Sequence, residues 1–152
     1  MCGRFGLWAD PEQIENHFKM QLPHPLPLRY NIAPSQEIPT IRVSKEDKRE
    51  LTMLRWGLIP FWAKEQSSKY KMINARSDTV FSKPAYKAAI RRRRCLIPAS
   101  GFFEWKRGEQ SKQPYLVRVR DTHLFGMAGL WERWEGSETG EVIESCAILT
   151  TR

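Results

Sequence analysis

The first residues of the chain include a cysteine whose position gives it distinctive chemistry. Cys2 follows the initiator and is small enough for Met1 to be removed, which would leave an α-amino group and a thiol on adjacent carbons. Both groups are partly nucleophilic at neutral pH, because an unperturbed α-amine titrates near ~7.7–8.0 and a thiol near ~8.5. Such a 1,2-aminothiol attacks an aldehyde through nitrogen and closes through sulfur to a thiazolidine ring. The same residues also fit a cysteine without function at a frayed terminus.

A carboxylate within an aromatic stretch is the leading candidate for proton transfer. Glu104 lies between Phe103 and Trp105. Apolar surroundings favour the neutral form of a carboxyl group, which suits a general acid or base. The alternative is a strand glutamate held in a salt bridge.

An asparagine and an arginine two residues apart form a second polar pair. On an extended segment, Asn74 and Arg76 point to the same side. An amide that donates and accepts, beside a guanidinium that matches phosphate, suits a nucleic-acid pocket. An ordinary surface strand end fits the pair as well.

The run Arg91–Arg94 leaves two explanations open, namely proximity to phosphate and a solvated helix C-terminus favoured by the helix dipole.

Composition and charge favour a polyanionic partner. The 152 residues fit one domain, 1–152, and 25 Lys and Arg against 17 Asp and Glu give a net charge of +8. Six Trp among basic stretches suit single-stranded nucleic acid, since bases stack on rings while cations follow phosphates. A basic chain is also common for reasons of solubility alone.

The cysteines and the hydropathy pattern exclude several other classes. Three distant cysteines make neither a disulfide framework nor a C-x-x-C metal cluster. No apolar run approaches the ~18 residues of a membrane span, and the N-terminus lacks a signal-peptide core. We therefore expect no metal, no cofactor, no membrane contact and a cytoplasmic location, associated with the nucleoid in a bacterium.

The elements that must position these groups alternate short strands with two helices. Asp10-Pro11 begins a predicted helix over about 11–20, and a second helix is predicted from 82 through 90 that finishes in the arginines 91–94. The proline-rich stretch 22–28 is a predicted loop. The predicted strands cover 38–43, 51–58, 114–120, 124–131 and 142–150, with two more on either side of a turn at 99–101.

Five ordered motifs together resemble the SRAP family, the SOS-response-associated peptidase-like proteins that shield abasic sites in single-stranded DNA. The motifs are Met1-Cys2-Gly3-Arg4-Phe5, Tyr30-Asn31-Ile32-Ala33-Pro34, Trp56-Gly57-Leu58-Ile59-Pro60, Asn74-Ala75-Arg76 and the block Cys95–Lys106. The resemblance runs from residue 1 to the end. It implies a single compact α+β domain of strongly curved, barrel-like antiparallel sheets with a few flanking helices.

The resemblance also implies residue roles. Cys2, freed of Met1, would condense with the ring-opened aldehyde of an abasic deoxyribose and give a thiazolidine crosslink. Asn74 would orient the opened sugar, and Glu104 would act as general acid and base. The residues expected to bind DNA are Arg4 and Arg76 at the phosphates, Trp105 and Tyr70 at a neighbouring base, and Asn31 and Pro34 along the strand.

The chain departs from the family at its end. Members continue past 148–151 into a His-Asp-Arg-Met-Pro-like motif whose histidine assists sugar ring opening and crosslink reversal. His17, His24 and His123 lie in unrelated contexts. We therefore expect that the C-terminal portion of the family domain is missing, by fragmentation or in a shortened member, that such a segment would contact this chain, and that turnover is weakened without the histidine.

Three functions follow from the sequence. The first is an abasic-site sensor of the DNA damage response that crosslinks to single-stranded DNA, with lyase-like activity and autoproteolytic removal of Met1. The second is a single-strand binding module without chemistry. The third is an N-terminal-cysteine amidohydrolase, because Met-Cys-Gly also begins glutamine amidotransferases, in which the thiolate attacks an amide.

Overall fold

Ten β-strands and three short helices make up the structure, a computed structural model that describes residues 2–66, 72–107 and 112–151. In chain order they are β1 (Phe5–Leu7), α1 (Pro11–Phe18), β2 (Arg29–Ile32), β3 (Glu37–Val43), β4 (Arg49–Trp56), β5 (Asn74–Arg76), α2 (Pro84–Lys87), α3 (Ala89–Arg92), β6 (Arg94–Ala99), β7 (Gly101–Arg107), β8 (Lys112–Val117), β9 (Phe125–Glu135) and β10 (Val142–Thr150). Among the described residues, no helix combines the length and apolar character needed to cross a membrane.

Five strands close into a barrel in the order β4, β3, β6, β9 and β10, and β10 returns to β4. Most neighbours are antiparallel, as the sequence pattern predicts. The closing contact is parallel, with Cys146 of β10 opposite Trp56 of β4. The short strand β5 also runs parallel to β10, with Asn74 opposite Ile148. Closure pairs the strands around the barrel and leaves β5 attached at its rim.

A second sheet of four strands, in the order β2, β1, β7 and β8, stands beside the barrel. The chain passes from one sheet to the other at Ser100, between β6 and β7. The Ser100 backbone N–H donates to the Gly6 carbonyl oxygen at 2.8 Å, and the Ser100 Oγ accepts from the Trp8 N–H at 3.0 Å. The predicted turn at 99–101 is therefore a corner between sheets, and it fixes the N-terminal strand against β7.

The main core fills the barrel and extends under the second sheet. Phe5 and Trp56 are fully buried there and meet edge to face with ring centroids 5.3 Å apart. Edge-to-face geometry is favoured for aromatic pairs because the positive ring edge meets the negative face. A smaller apolar cluster beneath α2 and α3 includes Tyr86 and Leu130. The N-terminal segment is thus anchored by a core residue only three positions after Cys2.

Several predicted elements are confirmed with small shifts. Helix α1 begins after Asp10, whose N–H donates to the Gln13 side-chain oxygen at 3.0 Å. It ends at Phe18, because Lys19 adopts a left-handed conformation with φ of 52°. Strand β4 ends at Trp56, because Gly57 has a φ of 135°, which side-chain-bearing residues rarely adopt.

Two predictions about local structure are wrong. The helix predicted from 82 to 94 is split into α2 and α3, and Arg94 already belongs to β6. The segment 114–120, predicted as a half-exposed strand, is exposed at every position. Strand β8 pairs with β7 alone in the described sheets, so the alternation of its apolar side chains does not bury one face.

Candidate active site

Cys2 lies at the entrance to β1, where the barrel and the second sheet meet. Its side chain is buried, with 7% exposure, and its Sγ lies 3.7 Å from the carbonyl oxygen of Arg4. That carbonyl accepts a hydrogen bond from the Phe103 N–H at 2.8 Å. The backbone around Cys2 is therefore tied to β7 immediately before Glu104.

Asn74 reaches Cys2 from the other side. Its side-chain Nδ2 donates to the Cys2 carbonyl oxygen at 2.8 Å, and its own carbonyl accepts from the Tyr86 hydroxyl at 3.1 Å. The ladder with Ile148 sets the position of the strand. The Asn74 Oδ1 is buried and has no hydrogen-bond partner within the described ranges. Because an unpaired buried acceptor is costly, this oxygen is a natural place for a donor group of a ligand.

Glu104 completes the group. It lies on β7 opposite Tyr115, with a half-buried side chain. Its negative charge contributes to raising the pKa of the Cys2 thiol, so the carboxylate is within electrostatic reach of the sulfur. The structure therefore brings together the three residues that the sequence analysis placed in catalysis, Cys2, Asn74 and Glu104.

The thiol is less reactive than the sequence suggests. The pKa of Cys2 is raised from its ordinary 9.0 to about 11, first by burial and further by the charge of Glu104, while a backbone hydrogen bond with Arg4 acts in the opposite direction. An exposed, partly ionised thiol was expected, and the structure instead shows a buried, neutral one. A protonated amine on Cys2 after removal of Met1 would lower the thiol pKa, because a nearby positive charge favours the thiolate.

Arg4 is held by one of the residues expected along the DNA path. Its Nη1 donates to the Asn31 Oδ1 at 2.9 Å. Its Nε is buried and lacks a partner among the residues that the structure describes. The two predicted DNA contacts are therefore neighbours, with Arg4 immediately before β1 and Asn31 on the adjacent strand β2.

An aromatic stack beside Asn31 has no signal in the sequence motifs. Trp8 and Tyr30 lie nearly parallel, with an interplanar angle of 14° and centroids 5.9 Å apart, and Tyr30 is 62% exposed. The Trp8 ring packs where Cβ atoms on Gly6 and Gly101 would lie, at 2.5 and 3.1 Å from it. Glycines inside strands indicate such close approaches, so Gly6 and Gly101 were the sequence feature from which this packing could have been predicted.

The other predicted DNA contacts are more scattered. Arg76 is exposed but already paired with Asp78, at 2.6 Å and 3.2 Å, and this bond raises its pKa. Trp105 is 41% exposed and, as the next residue after Glu104, points to the opposite face of β7. Pro34 is half-buried. Tyr70 lies outside the described residues.

The described residues were also compared with the requirements of a metal site. No group of three or more His, Cys, Asp or Glu side chains that could hold an ion is found in the described part of the chain. A nucleophile, a carboxylate and an amide can together bind a carbonyl compound and move protons during its condensation.

Comparison with known proteins identifies the family. The family model described as SOS response associated peptidase (SRAP) matches residues 1–152. The chain belongs to the SRAP family. It is 42% identical over 159 residues to the abasic site processing protein YoqW of Bacillus subtilis, covering 100% of this chain and 69% of that protein. It is 33% identical over 149 residues to the abasic site processing protein HMCES of Xenopus tropicalis, covering 80% of this chain and 44% of that protein.

A solved structure has the same fold. A crystal structure of a protein from Bacteroides thetaiotaomicron superposes with a TM-score of 0.89 at 31% identity, covering 99% of this chain and 68% of that one. The predicted fold class, curved sheets closing into a barrel with flanking helices, is confirmed by this likeness.

Proposed function

We propose that the protein, once freed of Met1, forms a thiazolidine crosslink between Cys2 and an abasic site in single-stranded DNA. The observation that carries the proposal is the hydrogen bond of 2.8 Å from Asn74 to the Cys2 carbonyl. The thiol of the same cysteine lies close enough to Glu104 for the carboxylate charge to raise its pKa. Its relatives YoqW and HMCES are abasic site processing proteins, which supports the same substrate and a role in responding to DNA damage.

The reaction is a condensation that releases one water. The Cys2 amine attacks the aldehyde carbon of the ring-opened sugar, and the resulting carbinolamine loses its hydroxyl as water to give an imine. The Cys2 sulfur then adds to the imine carbon, and the nitrogen takes up the proton that the thiol loses. We assign to Glu104 the protonation of the leaving hydroxyl and, in the last step, the transfer of the thiol proton to the nitrogen.

The chemistry of the two groups sets the order of these steps. The pKa of about 11 belongs to the thiol of the chain that retains Met1, and the ammonium group that removal of Met1 creates beside the thiol lowers this pKa. The amine makes the first bond, because the sulfur closes the ring only after an imine has formed. Burial still opposes ionisation of the thiol, which makes an amide-cleaving thiolate, the amidohydrolase alternative, a poor fit. Removal of Met1 by hydrolysis of its peptide bond must precede the crosslink, because the amide nitrogen of an internal residue is not nucleophilic.

Asn74 and the basic surface position the strand. The unpaired Oδ1 of Asn74 accepts a hydrogen bond from a hydroxyl group of the opened sugar. Arg4 and Arg76 contact the flanking phosphates, where arginine forms two parallel hydrogen bonds. The Trp8–Tyr30 stack and Trp105 offer faces for neighbouring bases, and Asn31 and Pro34 line the path of the strand. Tyr70, outside the described residues, is assigned to a neighbouring base by the family resemblance alone. The net charge of +8 favours association with DNA.

Single-strand binding without chemistry is the second candidate. The burial of Cys2 favours it, because a sulfur that stays enclosed cannot reach a sugar. This function predicts equal affinity for intact and abasic strands and no covalent product.

The two functions are separated by a gel assay with abasic and intact strands of the same sequence. We expect a heat-stable, slower-migrating species with the abasic strand alone, and none with Cys2→Ala. Cys2→Ser keeps the amine but loses the sulfur, so we expect an imine that survives only after borohydride reduction. Equal products from the wild type and Cys2→Ala would overturn the proposal.

A further inference from the structure

A groove on the outer wall of the barrel lies apart from the candidate active site. It has a volume of about 790 Å³, within the ~300–1,000 Å³ range of ligand pockets. Leu96 of β6 and Gly126 and Ala128 of β9 form its floor. These residues are exposed, whereas Cys95 and Ile97 on either side of Leu96 are buried. None of Cys2, Asn74 and Glu104 lines this groove.

Arginines surround the floor. Arg92 and Arg94 lie on one side and Arg49 and His17 on another. Arg92 and Arg94 are exposed and form no ion pair within the described ranges. Arg49 donates to the Phe18 carbonyl oxygen at 2.6 Å, a bond that leaves its charge uncompensated. Of the four arginines 91–94, two therefore line the groove, Arg92 and Arg94.

The remaining charges nearby are already paired. Arg42 lies against the Trp131 ring at 4.4 Å and bonds to Glu50 at 2.8 Å and Glu144 at 3.0 Å. Arg93 pairs with the buried Glu132 at 2.7 Å, outside the groove. No acidic residue lines the groove in the part of the chain that the structure describes. Its field is therefore positive around an apolar floor.

We propose that this arginine groove binds an acidic peptide segment that carries aliphatic side chains, presented by a protein partner. Charge complementarity requires an anionic ligand, and the floor of Leu96 and Ala128 requires apolar groups between the charges. Nucleic acid fits less well, because bases need an open aromatic face. The Trp131 ring is covered by Arg42, and Phe18 is only 6% exposed.

Fluorescence anisotropy with a labelled peptide of alternating aspartate and leucine, about twelve residues long, tests the proposal. We expect saturable binding, with a Kd that rises about tenfold when Arg92 and Arg94 are both changed to Ser, because two exposed ion pairs together contribute on that scale. Leu96→Ser weakens binding as well. If Leu96→Ser lowers the melting temperature, Val43→Ser, an exposed change in the same groove, replaces it. Arg91→Ser is the matched control and leaves the Kd unchanged.

Three results would overturn the proposal. Equal binding of a peptide with serine in place of leucine would show that charge alone is recognised. Displacement by oligodeoxythymidine whose own affinity falls equally in the Arg92/Arg94 variant would assign the groove to nucleic acid. Absence of saturable peptide binding would show that no such segment is recognised. Because Cys2 is intact in every variant, crosslinking to abasic DNA is measured separately and does not decide the result.

Discussion

The side-chain amide of Asn74 donates a hydrogen bond of 2.8 Å to the carbonyl oxygen of Cys2, and it joins a strand at the barrel rim to the N-terminal segment. Seventy-two positions separate the two residues in the chain. The bond holds the Cys2 carbonyl against β5, so under the proposed function the amide positions the nucleophile as well as the sugar.

Asn74→Asp should lower the rate of crosslinking about 10²-fold, because a carboxylate cannot donate to the Cys2 carbonyl and a small displacement of reacting groups costs that much. Single-turnover gel kinetics with excess abasic strand provide the measurement. Asn16→Asp, on the exposed face of α1, is the control. Unchanged kinetics in Asn74→Asp, with an unchanged melting temperature, would show that the hydrogen bond is only structural.

Glu104→Gln should move two properties in opposite directions. Loss of the acid and base lowers crosslinking by about 10²–10⁴-fold. Loss of the negative charge that raises the Cys2 pKa makes the thiol ionise more readily, so alkylation of Cys2 by iodoacetamide becomes faster. Glu141→Gln, an exposed change, should alter neither. A parallel fall of both rates would indicate a disturbed fold rather than lost proton transfer.

Stability should fall at alkaline pH because the thiols are buried. Burial raises the pKa of Cys2 to about 11 and that of Cys95 to about 12, from an ordinary 9.0. Since the folded pKa values exceed the unfolded ones, the contribution is complete below about pH 9 and is lost as the pH rises through 11 and 12. Each thiol contributes a slope of roughly 1 kcal/mol per pH unit.

Urea unfolding of the Met1-retaining protein at about pH 8, 9 and 10 measures this effect. Cys2→Ser removes one thiol and should reduce the fall in the free energy of unfolding above pH 9. The buried Tyr86, whose pKa is also raised by burial, contributes equally to both proteins. Identical slopes would contradict a buried, neutral Cys2 thiol.

Asp78→Asn should release Arg76 for phosphate. The pair is exposed and bidentate, so its loss costs little stability. We expect tighter binding to single-stranded DNA, with the slope of log K against log salt steeper by about 0.7 for one more phosphate contact. Glu135→Gln is a matched control, because it breaks a similar exposed pair with Arg133. An equal gain in both variants would mean that net charge alone is responsible.

Local signals in the sequence account for much of the fold. Asp10 and Pro11 mark the start of α1, and the apolar pattern over 142–150 predicts β10 at its observed bounds. The parallel contact between Cys146 and Trp56 has no local signal, because register between distant strands is set by closure of the barrel.

The residue types of the site could be predicted from the sequence, but the burial of the Cys2 thiol could not. The family motifs select Cys2, Asn74 and Glu104, which the structure brings together. Burial of the thiol depends on the sheet corner at Ser100, whose bond to the Gly6 carbonyl crosses 94 positions of the chain. The pairing of Arg76 with Asp78 does not follow from the strand pattern, because Asp78 lies in the turn after β5.

Peptide mapping by mass spectrometry, after incubation with an abasic single strand and without any reductant, tests the central claim most directly. Protein that begins at Cys2 should yield an N-terminal peptide that carries the strand with the loss of one water, and protein that retains Met1 should yield none. Equal adduct formation by the Met1-retaining protein, or an adduct on a lysine, would contradict the account.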